Sequence, residues 1–205
     1  NSDASFQYRM VILANIFDEG LAILPTHRLL HLPKDVTKDK LQSKLEKYFK
    51  VETFSRDSSI QPGKLADHIK KQIVTDSKHK FAILFKDTYF IITLKDESVM
   101  DNLAKNRSET WRKLDVSILH KIVIEEIMGI TQDNLEDHVK YTREDEESIE
   151  VVDDGTYDCS ILMNATKIEE LKAIADAGEH MPQKSTYFLP KMLSGLVMYD
   201  MNTKN

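Results

Sequence analysis

Hydrophobic positions along the chain switch between two periods, and each switch marks an element. In "VTKDKLQSKLEKYF", Leu41, Leu45 and Phe49 recur at fourfold spacing, which predicts an amphipathic helix with Thr37 as its N-cap. "PGKLADHIKKQIV" opens on Pro62 and carries Leu65, Ile69 and Ile73 on one stripe, a second helix. "HKFAILFKDTYFIITLK" is different: two β-branched and aromatic runs flank Lys86-Asp87-Thr88, which predicts a hairpin. A short helix is expected in "DESVMDNLAKN", and a longer one in "LDVSILHKIVIEEIMGI", with Asp115 as N-cap and Gly129 as its stop.

Other segments are shorter. Residues 8–17 and 21–24 read as strands around the turn "DEG", and "KVETFS" and "DHVKYTR" as short strands. "EDEESIEVVDDG" reads as an acidic helix with a solvated face, and "YDCSILMN" as a buried strand. Thr166 and Glu169 form a T-x-x-E capping box for "KIEELKAIADAG", which Gly178 closes, and "GLVMYDM" is a final apolar run. Strands and helices interleave without strict βαβ alternation. The expected fold is α+β: helices packed on a mixed, largely antiparallel sheet, with residues 1–205 as a single domain.

Composition narrows the class. The 205 residues are 41% hydrophobic and 30% charged, a globular balance, with a formal net charge of −6. That charge argues against a nucleic-acid binder held by bulk electrostatics. No apolar run is long enough to span a bilayer, and "NSDASFQYRM" has no signal-peptide pattern, so the cytoplasm is the expected compartment. Cys159, the one cysteine, lies in an apolar stretch and reads as a buried structural thiol. The chain begins with Asn and runs at once into "YRMVILANIF", so a fragment of a longer protein is expected.

Two segments carry candidate chemistry. "AGEHMPQKSTYFLPK" misses a Walker A pattern by one residue, since Gln183 stands where glycine is needed and Pro182 has no N–H to offer. It also follows a helix, where a P-loop follows a strand. Lys184, Ser185, Thr186 and Lys191 nevertheless supply the charge and hydroxyls of an anion site, and His180 titrates near neutrality. The alternative is a turn whose hydroxyls satisfy backbone groups. In "ILPTHRLLH", Thr26, His27 and Arg28 follow an apolar strand, where Arg28 would clamp a phosphate or carboxylate and His27 would move a proton. The alternative there is a strand-end turn with an exposed arginine. His27 and His31 are four apart, but the cation between them opposes a metal, so no metal ligands are assigned. His68 and His120 read as surface or core-edge residues on helices.

"ILPTHRLLH", "LDVSILHKIVIEEIMGI", "VVDDG", "LMN" before Thr166 and "AGEHMPQKSTYFLPKMLSGLV" together resemble the family catalogued as domain of unknown function 1015, over residues 8–199. Its members are bacterial and archaeal proteins, mostly without assigned activity. Their N-terminal part resembles the ParB and sulfiredoxin fold, a group that includes free serine kinases and carries an Asp-Gly-His-His-Arg signature. No such run occurs here. The resemblance therefore implies the C-terminal part of a longer protein, catalytically dead alone if phosphoryl transfer needs that signature.

Two functions follow as expectations. In the first, the chain is part of a nucleotide-dependent small-molecule kinase, using ATP or ADP with Mg²⁺ in the full-length protein. Residues 26–28 and 180–191 then line one anion cleft shared with the missing N-terminal region. Thr26, Arg28, Lys184, Ser185, Thr186 and Lys191 bind phosphate or substrate, and His27 or His180 acts on the hydroxyl. In the second, the domain is non-catalytic and supports folding or partner binding. No membrane or nucleic-acid partner is expected in either.

Overall fold

A computed structural model of the chain describes residues 11–57, 59–74, 79–191, 195, 197 and 198. The chain falls into two compact units, Ile23–Tyr187 and a smaller one made of Asn1–Ala22 and Phe188–Asn205.

The larger unit is built on a six-stranded sheet. Its strands are β2 (His27–Leu30), β3 (Phe49–Ser55), β4 (Lys80–Leu84), β5 (Thr88–Leu94), β6 (Val139–Thr142) and β7 (Cys159–Leu162), ordered β3-β5-β4-β7-β2-β6. Every pairing in it is antiparallel, so the largely antiparallel sheet expected from the sequence is antiparallel throughout. The β4–β5 hairpin forms as expected, with Leu84 opposite Tyr89 and Phe85 N–H donating to Thr88 O at 2.8 Å. A second sheet has two strands, β1 (Ala22–Leu24) and β8 (Tyr187–Leu189).

Alternation along the strands divides the core in two. Leu30, Phe81, Ile83, Phe90, Ile92, Cys159 and Ile161 face one side. There they meet α1 (Lys38–Tyr48), α3 (Val99–Leu103), α4 (Glu109–Arg112), α5 (Asp115–Ile118), a π-helix (Leu119–Ile127), α6 (Leu135–His138) and α8 (Ile168–Asp176). Ala82, Leu84, Tyr89, Ile91 and Leu162 face the other side, against α2 (Pro62–Ile73) and α7 (Glu147–Asp153). Both faces of the central strands are covered, which is why β4 and β5 read as near-continuous apolar runs. Each fully buried Leu or Ile contributes about 1.5–3 kcal/mol to this arrangement.

Helix ends explain where the sequence reading shifts. Thr37 caps α1 as expected, accepting from Lys40 N–H, and Gly129 ends the long helix at φ +74°, a conformation that costs other residues strain. The N-cap before α5 is Leu114, not Asp115, which is the first helical residue. At α8 the reciprocal bond is one residue on: Glu170 accepts from Lys167 N–H at 2.8 Å. Thr166 is thereby released, and its hydroxyl donates to Ser185 O at 3.1 Å. The helix expected over 115–129 is α-helical for one turn only and then winds as a π-helix.

In the smaller unit, residues 11–17 form no strand, contrary to the sequence reading. Val11 and Leu13 are exposed, at 67% and 92%, so no ladder or burial compensates for extending the chain. Residues 8–10 of that segment lie outside the described residues, as does most of the final apolar run 195–201. The "DEG" turn forms, with Leu21 N–H donating to Asp18 O at 2.9 Å.

Candidate functional site

Thr26, His27 and Arg28 are not in an exposed strand-end turn. Thr26 is buried beside β2, and His27 and Arg28 open that inner strand, flanked by β6 and β7. Alternation then sends the two neighbouring side chains to opposite faces. Arg28 is opposite Ile161 on β7 and Tyr141 on β6, on the face covered by the π-helix.

Arg28 is 4% exposed and borders a cavity of about 530 Å³ within the larger unit. Its guanidinium donates through Nη1 to Thr26 O and contacts Met163 Sδ, and it lies 5.6 Å from the centre of the Tyr141 ring. Among the described residues no carboxylate pairs with it. Burial pulls it down to about 10, still cationic at neutral pH.

The rest of the cavity wall mixes basic side chains with apolar and amide ones. Arg107, His120, Lys121 and His180 line it, with Glu179 the one carboxylate among the lining residues. Asn106, Gln132 and Gln183 add amides, and Trp111 and Tyr141 add aromatic surface. Arg107 sits over the Trp111 ring at 5.0 Å. Glu179 is engaged: Ser108 donates to it through both its backbone N–H and its hydroxyl, at 2.9 Å each. Ser108 is also the N-cap of α4, so one residue starts that helix and fixes the segment that follows Gly178.

Of the residues singled out from sequence, Arg28 and His180 line this cavity together. Thr26 supplies the carbonyl that holds Arg28. Lys184, Ser185 and Thr186 are not among the lining residues. Lys184 is exposed, at φ +56°, and Ser185 is buried with its carbonyl taken by Thr166. Lys191 belongs to the smaller unit.

His27 lies on the other face, fully buried. Its Nδ1 accepts from Met163 N–H at 3.3 Å, so Nε2 carries the proton and donates to Asp145 Oδ1 at 2.7 Å. Lys70 holds the second oxygen of Asp145 at 2.6 Å. The hydrogen bond from His27, helped by Lys70, pulls Asp145 down to about 2. Both nitrogens of His27 are occupied, so its geometry is that of a structural link between β2, α2 and the turn before α7.

The sequence reading assigns no site role to Arg107, Trp111, His120 or Lys121, all of which line the cavity. The available signal is the basic pair His120-Lys121 in a helix whose other charged residues, Asp115, Glu125 and Glu126, are acidic. Cys159 is fully buried, and burial pushes its thiol up, as its apolar surroundings suggested. A second, more open cavity of about 570 Å³ is lined in part by Lys50, His79 and Glu97. Among the described residues, no helix is long and apolar enough to cross a membrane, and no group of three or more His, Cys, Asp or Glu could hold a metal ion.

Comparison with known proteins places the fold in a family. No curated protein matches the chain. Among solved structures, a conserved hypothetical protein from Pyrococcus furiosus is similar at 15% identity and TM-score 0.46, over 87% of this chain and 60% of its own. A free serine kinase in complex with AMP is similar at 12% identity and TM-score 0.46, over 87% of this chain and 58% of its own. The chain thus spans about three fifths of the length of the solved structures it matches. A family model described as protein of unknown function (DUF1015) matches residues 1–117, more than half of the sequence, and the chain belongs to that family.

Proposed function

We propose that the cavity over Arg28 binds an anion, and that its ligand is the phosphate end of a nucleotide or of a phosphorylated small molecule. One observation carries the proposal: a buried guanidinium with no carboxylate partner among the described residues borders an open volume of about 530 Å³. A buried charge is ordinarily paired, because leaving it unpaired costs several kcal/mol. Folding has already met that cost at Arg28, so an arriving anion gains the attraction without desolvating the cation again. The guanidinium fork suits a phosphate, whose oxygens accept two parallel N–H bonds. Arg107 on the same wall adds fixed positive charge, and Lys121 lines it as the partner of Glu125.

We extend the proposal to the whole protein as a nucleotide-dependent kinase acting on a small hydroxyl compound such as free serine, with ATP or ADP and Mg²⁺. Phosphoryl transfer spreads negative charge over the moving group, and clustered cations in a water-poor site are what stabilise it. In this reading Arg28 holds phosphate, with Thr26 fixing its guanidinium, and His180 at the rim orients the hydroxyl. Lys184 and Thr186, which do not line the cavity, and Lys191, which belongs to the smaller unit, are given no role in it. His27 takes no part. One observation favours a purely structural role for the Lys184–Thr186 turn: the buried Ser185 carbonyl is already tied to Thr166.

Calorimetric titration with phosphate, ADP and ATP tests the reading. The chain is expected to bind at least one of them, and Arg28→Met to bind none. Equal affinity in the two proteins refutes the assignment of Arg28, and no binding to the unaltered chain refutes the anion cavity.

A further inference from the structure

We infer that His120, which lines the same cavity as Arg28, is a ligand of the anion and takes up a proton when a doubly charged anion enters. This rests on the anion-binding reading above, and it narrows the ligand class to a dianion such as a phosphomonoester, in preference to a carboxylate.

The geometry comes from the π-helix. His120 Nε2 lies 3.1 Å from Glu125 Oε1, while Lys121 Nζ lies 2.6 Å from Glu125 Oε2. Residues five apart stack in a π-helix, which closes i→i+5 hydrogen bonds, whereas α winding brings together only residues three or four apart. The π turn therefore brings His120, five residues back, to the same carboxylate that Lys121 reaches from four. His120 and Lys121 line the cavity; Glu125 is not among the lining residues. The carboxylate thus holds both side chains without lining the cavity itself, and it offsets the charge of Lys121.

Three charged groups act on His120: Glu125 and Lys121 from its own helix, and Arg28 from β2. Burial is the largest influence and favours the neutral ring, Arg28 and Lys121 push the same way, and Glu125 opposes them. A dianion between these groups reverses the balance, because it cancels the two cations and offers oxygens to the ring N–H. Protonating His120 then adds a charge-assisted hydrogen bond at the moment of binding. A histidine that lines the same cavity as Arg28 and gains its proton on binding admits the second negative charge without storing a second buried cation in the free protein.

Sulfate is the test probe, since it keeps both charges throughout the range in which a histidine titrates and contributes no proton of its own. Calorimetric titrations of the full chain run from about pH 5.5 to about pH 8, in buffers of differing ionisation enthalpy. Expected is proton uptake approaching one per sulfate, with affinity falling as pH rises, by up to about tenfold per unit, the slope for one linked proton. His120→Gln is expected to bind sulfate with no pH slope in that range. Binding that is independent of pH in the unaltered chain but lost in Arg28→Met overturns the role of His120 and leaves the anion cavity standing. A slope that persists in His120→Gln and disappears in His180→Gln assigns the proton to the rim histidine and likewise overturns it. If the unaltered chain binds neither sulfate nor phosphate, the cavity reading fails, and this inference with it.

Discussion

His27 and Arg28 are consecutive in sequence, yet they serve opposite faces of the sheet. His27 Nε2 donates to Asp145 at 2.7 Å on one face, while Arg28 borders the cavity on the other. The same alternation that gives β2 two buried faces separates a structural histidine from a candidate ligand-binding arginine.

The Asp145 link gives a pH-dependent stability. Asp145 falls to about 2 in the folded protein, below the ordinary carboxylate value of 3.8. Its contribution is therefore present above the unfolded value and lost as pH falls from about 4 towards 2. Asp145→Asn is expected to lower stability by about 1–3 kcal/mol at neutral pH, with the difference closing near pH 2. Urea unfolding at both pH values measures this. A difference that is the same at both would mean the ionised carboxylate is not what stabilises the link.

Arg28→Met is expected to uncouple stability from binding. The substitution removes a buried cation that has no carboxylate partner among the described residues and fills its place with an apolar chain. Stability should stay within about 1 kcal/mol or rise, even as anion affinity disappears. A loss of several kcal/mol in chemical denaturation would show instead that Arg28 is chiefly a structural residue. Arg28→Lys keeps the charge but loses the planar fork, and is expected to bind phosphate at least tenfold more weakly by calorimetry.

Ser108 joins two functions that separate by substitution. Its hydroxyl accepts from Trp111 N–H at 3.1 Å as a helix cap and donates to Glu179 at 2.9 Å. Ser108→Ala is expected to cost about 1–2 kcal/mol and to weaken anion binding, because the segment after Gly178 loses part of its tie to the wall. Ser108→Thr retains both bonds and should restore both properties. Thermal unfolding and phosphate titration of the pair check this.

How much of this was legible depended on whether local pattern or long-range packing decided the outcome. The hairpin over 79–95 and the Leu41–Leu45 helix face were readable, because their periods and turn residues agree with their burial. Arg28 was readable as a candidate but not as a buried one, since arginine in a short strand ordinarily reaches solvent. The Thr166 capping box was a sound local pattern, but the competing bond to Ser185 O moved the helix start by one residue. The π winding of Leu119–Ile127 leaves no period in so short a stretch, and with it the approach of His120 to Glu125 was hidden. The apolar segment 11–17 misled in the opposite direction, since composition alone suggested a buried strand where Leu13 is 92% exposed.

The anion cavity can be examined most directly by crystallography of the protein soaked in tungstate, a phosphate-like anion with strong anomalous scattering. An anomalous peak within hydrogen-bond distance of the Arg28 guanidinium, roughly 2.7–3.2 Å from nitrogen to oxygen, is the expected result. An empty cavity alongside occupied sites elsewhere on the surface would contradict it.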